Sequence, residues 1–159
     1  MIYAPFVKHV SLPLYHWWHG SDLLKNIRTF EASQWLSLER LRAMQWERLS
    51  RLLEHAYENV PYYQEKFKEI GAEPNDFRSF EDFAKFPSLT KRILQERLAD
   101  LIASNIPRGE MVKGITSGSS GQPTSYIQEK ASNRIRAAAG KRLTRIAGYD
   151  LGQRLFYLW

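Results

Sequence analysis

The 159-residue sequence contains no cysteine, so disulfide bonds and thiolate metal sites are excluded. No stretch approaches the ~18 consecutive apolar residues that a membrane-spanning helix requires. The first residues do not form the apolar core of a signal peptide, because Lys8, His9 and Pro13 interrupt the apolar side chains. A cytoplasmic location is therefore the default expectation.

Acidic residues are scarce only in the last part of the chain. Lysine and arginine total 23 against 17 aspartate and glutamate residues, which gives a formal net charge of +6. Basic and acidic residues balance over 1–129, whereas residues 130–159 hold seven basic residues and one acidic residue. No recognisable nucleic-acid-binding module accompanies this charge, so we expect no nucleic-acid partner.

A loop rich in hydroxyl groups lies at residues 116–124, with the sequence TSGSSGQPT. Its glycines permit positive φ angles and close backbone approach, so successive amide N–H groups can converge on phosphate oxygens. The flanking segments 111–115 and 125–128 are short and partly β-branched or aromatic, which predicts a strand on each side. The Walker A motif does not fit, because Gln122 stands where that motif requires lysine. Composition thus leaves two alternatives open, a phosphate loop and an ordinary hairpin of serine and glycine.

The chain before the loop is predicted to be mainly helical. Apolar residues recur at three- to five-residue steps over 33–58, and Pro61 ends this helix because it disfavours helical geometry at the preceding residue. A second helix is expected over 62–70, with Gly71 as its left-handed cap. Ser79 and Thr90 are expected to cap two further helices.

Two sets of apolar side chains accompany these later helices. The Thr90-capped helix is expected to carry Ile93, Leu94, Leu98, Leu101 and Ile102. Phenylalanines at helical spacing, which are typical of a core, stand at Phe77, Phe80, Phe83 and Phe86.

A last helix is expected over 131–147, and it has two different sides. Its apolar residues gather on one side, at Ile135, Ala139, Leu143 and Ile146. Its basic residues gather on the opposite side, at Lys130, Arg134, Lys141 and Arg145. This basic stripe can attract a polyanion, or it can be a solvated helix face. Residues 154–159 are apolar enough to form a buried strand.

Residues 1–32 carry a cluster of aromatic residues and histidines, at Tyr15, His16, Trp17, Trp18 and His19. The two histidines have the i, i+3 spacing of metal ligands, but no third ligand is evident nearby. The tyrosine and the tryptophans fit contact with a membrane interface, or packing against the body of a larger protein. We favour packing.

The string T-S-G-S-S-G-x-P-T resembles the signature phosphate loop of the adenylate-forming enzymes, a superfamily that includes the acyl-CoA synthetases. Thr124 stands where many members carry lysine or arginine, which resembles the phenylacetate-CoA ligase branch. Upstream, residues 58–63 and 86–91, together with Phe67 and Gly71, resemble the helical amino-terminal region of those ligases and of CapK-like (coenzyme F390 synthetase-like) proteins. The resemblance covers roughly residues 38–159.

This resemblance implies a set of binding residues and ligands. Phosphate contact is assigned to Thr116, Ser117, Gly118, Ser119, Ser120 and Gly121, with Thr124 in support. No residue of the chain is assigned a catalytic or metal-binding role. The implied ligands are ATP, Mg²⁺, coenzyme A and a small-molecule carboxylic acid, and the full-length protein is a candidate homodimer.

The implied reaction has two half-reactions. A carboxylate attacks the α-phosphorus of Mg-ATP to give an acyl-adenylate and pyrophosphate, and a thiol, usually that of coenzyme A, then displaces AMP. The implied fold class is α/β, in which a helical amino-terminal region leads into the first strands of the large domain of an adenylate-forming enzyme, truncated. The expected division is a poorly readable extension (1–32), a helical region (33–110) and the start of the α/β nucleotide-binding domain (111–159).

Adenylate-forming enzymes have a much longer chain after the phosphate loop than the residues present here, so we interpret the chain as an amino-terminal fragment that is inactive alone. The alternative is a non-catalytic helical interaction module, or a truncated remnant, that packs on a partner chain. An autonomous module should melt cooperatively, whereas a fragment with exposed strand edges should associate.

Overall fold

Helices make up most of the chain on both sides of the loop in a computed structural model that describes residues 3–116 and 123–154. The described residues of 1–36 and 131–159 form one compact unit, here called unit A. Those of 37–130 form a second, called unit B. The domain boundaries expected from the sequence stay a prediction, because they refer to the domains of a longer protein.

Unit A begins with a helical segment that the sequence pattern did not reveal. Its elements are α1 (Tyr3–Phe6), a π-helical turn (Val7–Ser11), α2 (Leu12–Trp18) and α3 (Leu23–Ser33). The π-helical turn comes directly before α2, which carries Pro13 in its first turn. Since proline has no N–H to donate and its ring crowds the preceding turn, a locally widened helix accommodates it.

Unit B contains the helical region and the strands that flank the loop. Its helices are α4 (Leu38–Asn59), α5 (Pro61–Ile70), α6 (Phe80–Phe83) and α7 (Lys91–Glu96), with 3₁₀ turns at Pro74–Asp76 and Arg108–Glu110. Its strands are β1 (Met111–Ile115) and β2 (Ser125–Glu129). A final helix, α8 (Lys130–Ile146), follows β2 directly, and its residues from 131 onward belong to unit A.

Side-chain caps fix three helix starts in unit B. The Oγ of Ser37 accepts a hydrogen bond from the Arg40 amide at 3.3 Å, so α4 begins later than the predicted residue 33. The Ser79 and Thr90 hydroxyls accept from the amides three residues on, at 3.1 and 3.3 Å, which confirms both predicted caps. The left-handed cap at Gly71, with a φ of 62°, is also confirmed.

The core of unit B is built around two aromatic side chains of α5. Tyr62 and Phe67 are 1% and 0% exposed. The Phe67 ring contacts Tyr57, Phe77 and Phe86 at centroid distances of 5.2, 5.9 and 4.8 Å. The core role predicted for the last two rings is confirmed.

Phe80 is the exception among the predicted core phenylalanines. It is 40% exposed and lies edge-on to Trp46 of α4 at 5.3 Å. The reason is that α6 spans only Phe80–Phe83, so the four phenylalanines do not share one helix face.

The predicted helix after Thr90 is too long. α7 ends at Glu96, so Leu98, Leu101 and Ile102 lie in turns rather than on the helix. Tertiary contacts explain the early end, because the carbonyl oxygen of Asp100 accepts a hydrogen bond from the Tyr62 amide at 3.0 Å. If α7 continued through this segment, the Asp100 carbonyl would instead accept a hydrogen bond from an amide of the helix itself.

Arg97 fastens these turns to α5. Its Nη1 and Nη2 donate to the two carboxylate oxygens of Glu65 at 2.9 and 2.7 Å, and its Nε donates to Asp100 at 2.9 Å. The guanidinium also lies over the Tyr62 ring, 5.0 Å from its centroid. These bonds lower the pKa of Glu65, chiefly through the hydrogen bonds from Arg97.

The two strands form an antiparallel pair. Their register runs from Met111 opposite Glu129 to Ile115 opposite Ser125. Both predicted strands are confirmed, and the mostly helical chain with its two-stranded sheet is compatible with the expected α/β class. The strand predicted over 154–159 falls mainly on residues 155–159, which lie outside the described residues.

The apolar side of α8 is largely exposed in unit A, whereas its basic side makes ion pairs. Leu143 and Ile146, on the apolar side, are 62% and 70% exposed, and the buried residue of the helix is Ala138. On the basic side, Arg145 pairs with Glu31 of α3 and lies 3.4 Å from an oxygen of Asp150. Within unit A the basic side therefore makes the helix contacts, because two carboxylates face it.

None of the helices in the described part of the chain is long and apolar enough to cross a membrane.

We predict that Arg97→Met lowers the thermal unfolding midpoint by a few degrees at pH 7, because it removes the pairs with Glu65 and Asp100. The folded pKa of Glu65 lies below its ordinary value of 4.5, so the Glu65 pair stabilises the fold above that pH. Its contribution is lost as the pH falls through the folded pKa. The deficit of the variant should therefore shrink below about pH 4 in a pH series of melting curves.

A matched control is Arg92→Met, because both side chains of the Arg92–Glu96 pair are exposed to solvent. It should leave the midpoint nearly unchanged. A deficit for Arg97→Met that does not change between pH 7 and pH 3 would contradict a role for the carboxylate pairs.

Candidate phosphate-binding loop

The candidate site lies at the end of the β1–β2 hairpin, where two threonines close the neck of the loop. The Thr116 amide donates to the carbonyl oxygen of Thr124 at 3.0 Å. In return, the Thr124 amide donates to the Oγ1 of Thr116 at 3.0 Å. The ends of the segment are therefore held side by side.

The two threonines differ in what they can offer a ligand. Thr124 is 5% exposed, whereas Thr116 is exposed. A hydroxyl group has one proton to donate and two lone pairs, so Thr116 can accept from the Thr124 amide and still donate to a phosphate oxygen. These positions suit the roles expected from the sequence, contact for Thr116 and support for Thr124.

The other predicted contact residues are Ser117, Gly118, Ser119, Ser120 and Gly121. All five lie outside the described residues, so their phosphate contacts stay a prediction.

Gln95 is a neighbour of the loop that the sequence did not identify. Its Nε2 donates to the Oγ1 of Thr124 at 3.4 Å, a long hydrogen bond that links α7 to the exit of the loop. The two residues are 29 positions apart, and no local pattern connects them. Only the tertiary fold of unit B brings them together.

Gly114 is a second residue whose role only the structure reveals. It lies opposite Tyr126 in the hairpin, one pair away from Ile115 and Ser125. A Cβ atom at this position would lie 2.3 Å from the Cζ atom of Tyr126. The tyrosine ring thus covers the glycine, and a side chain at position 114 would have to displace the end of that ring.

Internal partners already occupy part of the predicted basic stripe. Lys130 lies 3.7 Å from a carboxylate oxygen of Glu110, and Lys141 lies over the Tyr149 ring at 5.8 Å. Arg145 is paired with Glu31. The basic stripe is therefore not free along its whole length to attract a polyanion.

A metal site at His16 and His19 finds no support in the structure. Across residues 3–116 and 123–154, no group of three or more His, Asp or Glu side chains could hold a metal ion. The same ranges therefore offer no ready ligand set for the Mg²⁺ that the resemblance implies. Trp17 and Trp18 are 75% and 77% exposed in unit A, and the favoured packing against the body of a larger protein stays a prediction.

No protein-family model matches the chain. The phenylacetate-coenzyme A ligase of Escherichia coli strain K12 is 39% identical over 115 residues, covering 65% of this chain and 26% of the relative. The Pseudomonas putida enzyme of the same name is 38% identical over 116 residues, covering 67% and 26%. That of Thermus thermophilus is 34% identical over 121 residues, covering 76% and 27%.

The chain thus spans about a quarter of the length of the curated relatives it matches. The resemblance to phenylacetate-CoA ligases, first drawn from the loop and its upstream residues, is confirmed.

We predict that Thr116→Val leaves the buried Thr124 amide without its acceptor and lowers the free energy of unfolding by about 1 kcal/mol. The Thr124 amide should exchange with solvent markedly faster than in the wild-type protein. Thr116→Ser is the matched control, because it keeps the oxygen atom and should keep the protection. Hydrogen exchange detected by NMR, with urea unfolding alongside, measures both effects. Equal protection of Thr124 in the two variants would disprove the closure of the neck by this side chain.

Proposed function

Because the chain is a sequence relative of the phenylacetate-coenzyme A ligases, we propose that it is the amino-terminal part of an ATP-dependent, AMP-forming ligase. Such an enzyme activates a carboxylic acid as an acyl-adenylate and transfers the acyl group to the thiol of coenzyme A. The observation that carries the proposal is the threonine-closed neck at the end of the hairpin. It supports a phosphate loop because it fixes both ends of the glycine- and serine-rich segment.

The proposed role of the loop is to position phosphate groups and balance their charge. Backbone N–H groups and hydroxyls of residues 116–121 hold the β- and γ-phosphates, which leave together as pyrophosphate. Thr116 donates its hydroxyl proton to a phosphate oxygen, while Thr124 and Gln95 hold the exit of the loop. No covalent step falls to these residues. Mg²⁺ enters as the counter-ion of ATP.

The proposed reaction keeps atoms and electrons balanced in two displacements. An oxygen of the carboxylate forms a bond to the α-phosphorus of ATP, and the bond from that phosphorus to the bridging oxygen of pyrophosphate breaks. The thiol of coenzyme A then loses its proton to solvent while its sulfur forms a bond to the acyl carbon, and the carbon–oxygen bond to AMP breaks. Only the first displacement depends on the phosphate loop.

Four finer assignments accompany the proposal. The β1–β2 hairpin is assigned to the large domain of an adenylate-forming fold. The relatives are named for phenylacetate, so an acid with an aryl body is the first substrate to test. A cytoplasmic location and dimerisation of the full-length protein stay predictions.

A second candidate, a helical module that packs on a partner chain, is favoured by one observation. The apolar side of α8 is open, with Ile135, Leu143 and Ile146 at 47%, 62% and 70% exposed. An exposed apolar face of this kind is typical of a surface that packs against another part of a protein. In the ligase proposal the rest of the polypeptide supplies that cover, so the two candidates differ in whether the partner is covalently joined.

We predict that Gly118→Val or Gly121→Val, in a ligase-length protein that carries this sequence, reduces carboxylate-dependent ATP–pyrophosphate exchange on the order of 100-fold. A β-branched side chain disfavours positive φ and crowds the phosphates. Gly109→Val is the matched control, because nothing lies within 4 Å of the Cβ atom that it would add. This variant should keep the wild-type rate of ATP–pyrophosphate exchange. Unchanged exchange in correctly folded loop variants would refute the assignment.

For the 159-residue chain alone, we predict no turnover. Incubation with ATP, Mg²⁺ and phenylacetate should yield no acyl-adenylate by mass spectrometry, since the matched segment covers only 26% of such a ligase. Formation of the adenylate by the purified chain would show that the larger part of such a ligase is not needed.

A further inference from the structure

Unit A contains a cavity of about 340 Å³, which is in the size range of small-molecule sites. Its wall is mostly apolar and includes Tyr3, Val7, Leu12, Leu23, Leu24 and Leu151. Three basic side chains also line it, His16, Lys141 and Arg154, together with the amide of Gln153. The cavity is formed entirely by residues of unit A, whereas the phosphate loop belongs to unit B.

The charged side chains that line the cavity are positive. Two cations line it, and no carboxylate does so among the described residues. Lys141 lies 5.8 Å from the centroid of the Tyr149 ring, and Arg154 lies 5.6 Å from that of Tyr3. Asp150 bonds to Lys8 at 2.5 Å and Glu31 pairs with Arg145, and neither carboxylate lines the cavity. An anionic group in the cavity would meet uncompensated positive charge.

His16 supplies a hydrogen-bonding atom that has no partner. Its Nδ1 is buried and makes no hydrogen bond to any described residue. Buried polar atoms are normally paired, so an unpaired one indicates a water molecule or a ligand group. Burial and the neighbouring His19 both lower the pKa of His16, so the ring is neutral at neutral pH. A neutral imidazole can still donate one N–H.

We propose that this cavity binds a small monocarboxylic acid with an apolar body, whose carboxylate is held by Lys141, Arg154 and the Nδ1 of His16. The apolar wall accepts the body of the acid. The positive charge and the unpaired imidazole nitrogen select the carboxylate over a neutral group of the same shape. The site is independent of the proposed ligase activity, because it lies in the other unit and needs no ATP.

The test uses two probes with the same apolar body, 4-phenylbutyrate and its neutral amide, 4-phenylbutyramide. Each is titrated into the 159-residue chain by calorimetry, with backbone NMR shifts to locate binding. The acid should bind about tenfold more tightly than the amide, and the shifts should centre on Leu23, Leu24 and Gly152. No binding of the acid at millimolar concentration, equal affinity for both probes, or shifts centred elsewhere would overturn the proposal.

Three variants of α8 sharpen the test. Lys141→Met keeps the apolar stem but removes the charge. It should therefore weaken binding of the acid about tenfold and leave binding of the amide unchanged. Lys141→Arg keeps the charge and should retain acid binding. Arg136→Met removes an exposed cation of the same helix that bonds to Asn133, and it should have no effect. Equal acid affinity for Lys141→Met and Arg136→Met, with both folded, would exclude Lys141 from the site. ATP–pyrophosphate exchange plays no part in these measurements, so their failure leaves the ligase proposal untouched.

Discussion

The double hydrogen bond to Glu65 from Arg97 is the interaction on which the rest of unit B depends. It holds the turns after α7 against α5, next to the buried Tyr62. With its end fixed there, α7 presents Gln95 to the exit of the loop at Thr124. A surface ion pair is usually weak, but a bidentate arginine that also contacts a ring and a second carboxylate fixes geometry as well. The core and the candidate site are thereby joined through one short helix.

The loop itself is held by a different device, which is local to the hairpin. Thr116 contributes both its backbone and its side chain to the closure, and Tyr126 covers Gly114 on the neighbouring pair. The neck fixes Thr116 and Thr124, so these two residues need not be ordered anew when a ligand binds. Phosphate binding by the segment between them stays a proposal.

Unit A shows how ion pairs can override an amphipathic pattern. The spacing of apolar residues in α8 indicated which residues share a side, and that was right. It did not indicate which side packs within the unit. Arg145 finds Glu31 and Asp150, and these contacts orient the helix with Leu143 and Ile146 exposed. The same unit leaves Lys141 on a ring rather than on a carboxylate, which gives its cavity a positive charge.

Features that depend on neighbours a few residues away could be predicted from the amino-acid sequence. The caps at Ser79 and Thr90, the left-handed Gly71 and the two strands are of this kind, because local propensity and hydrogen bonds within one turn favour them. The end of α7, the side of α8 that packs, and the positions of Gln95 at the loop exit and Gly114 opposite Tyr126 emerge only from the folded chain. Each of these depends on partners more than ten residues distant in the chain, such as Asp100 with Tyr62, and local periodicity carries no information about them.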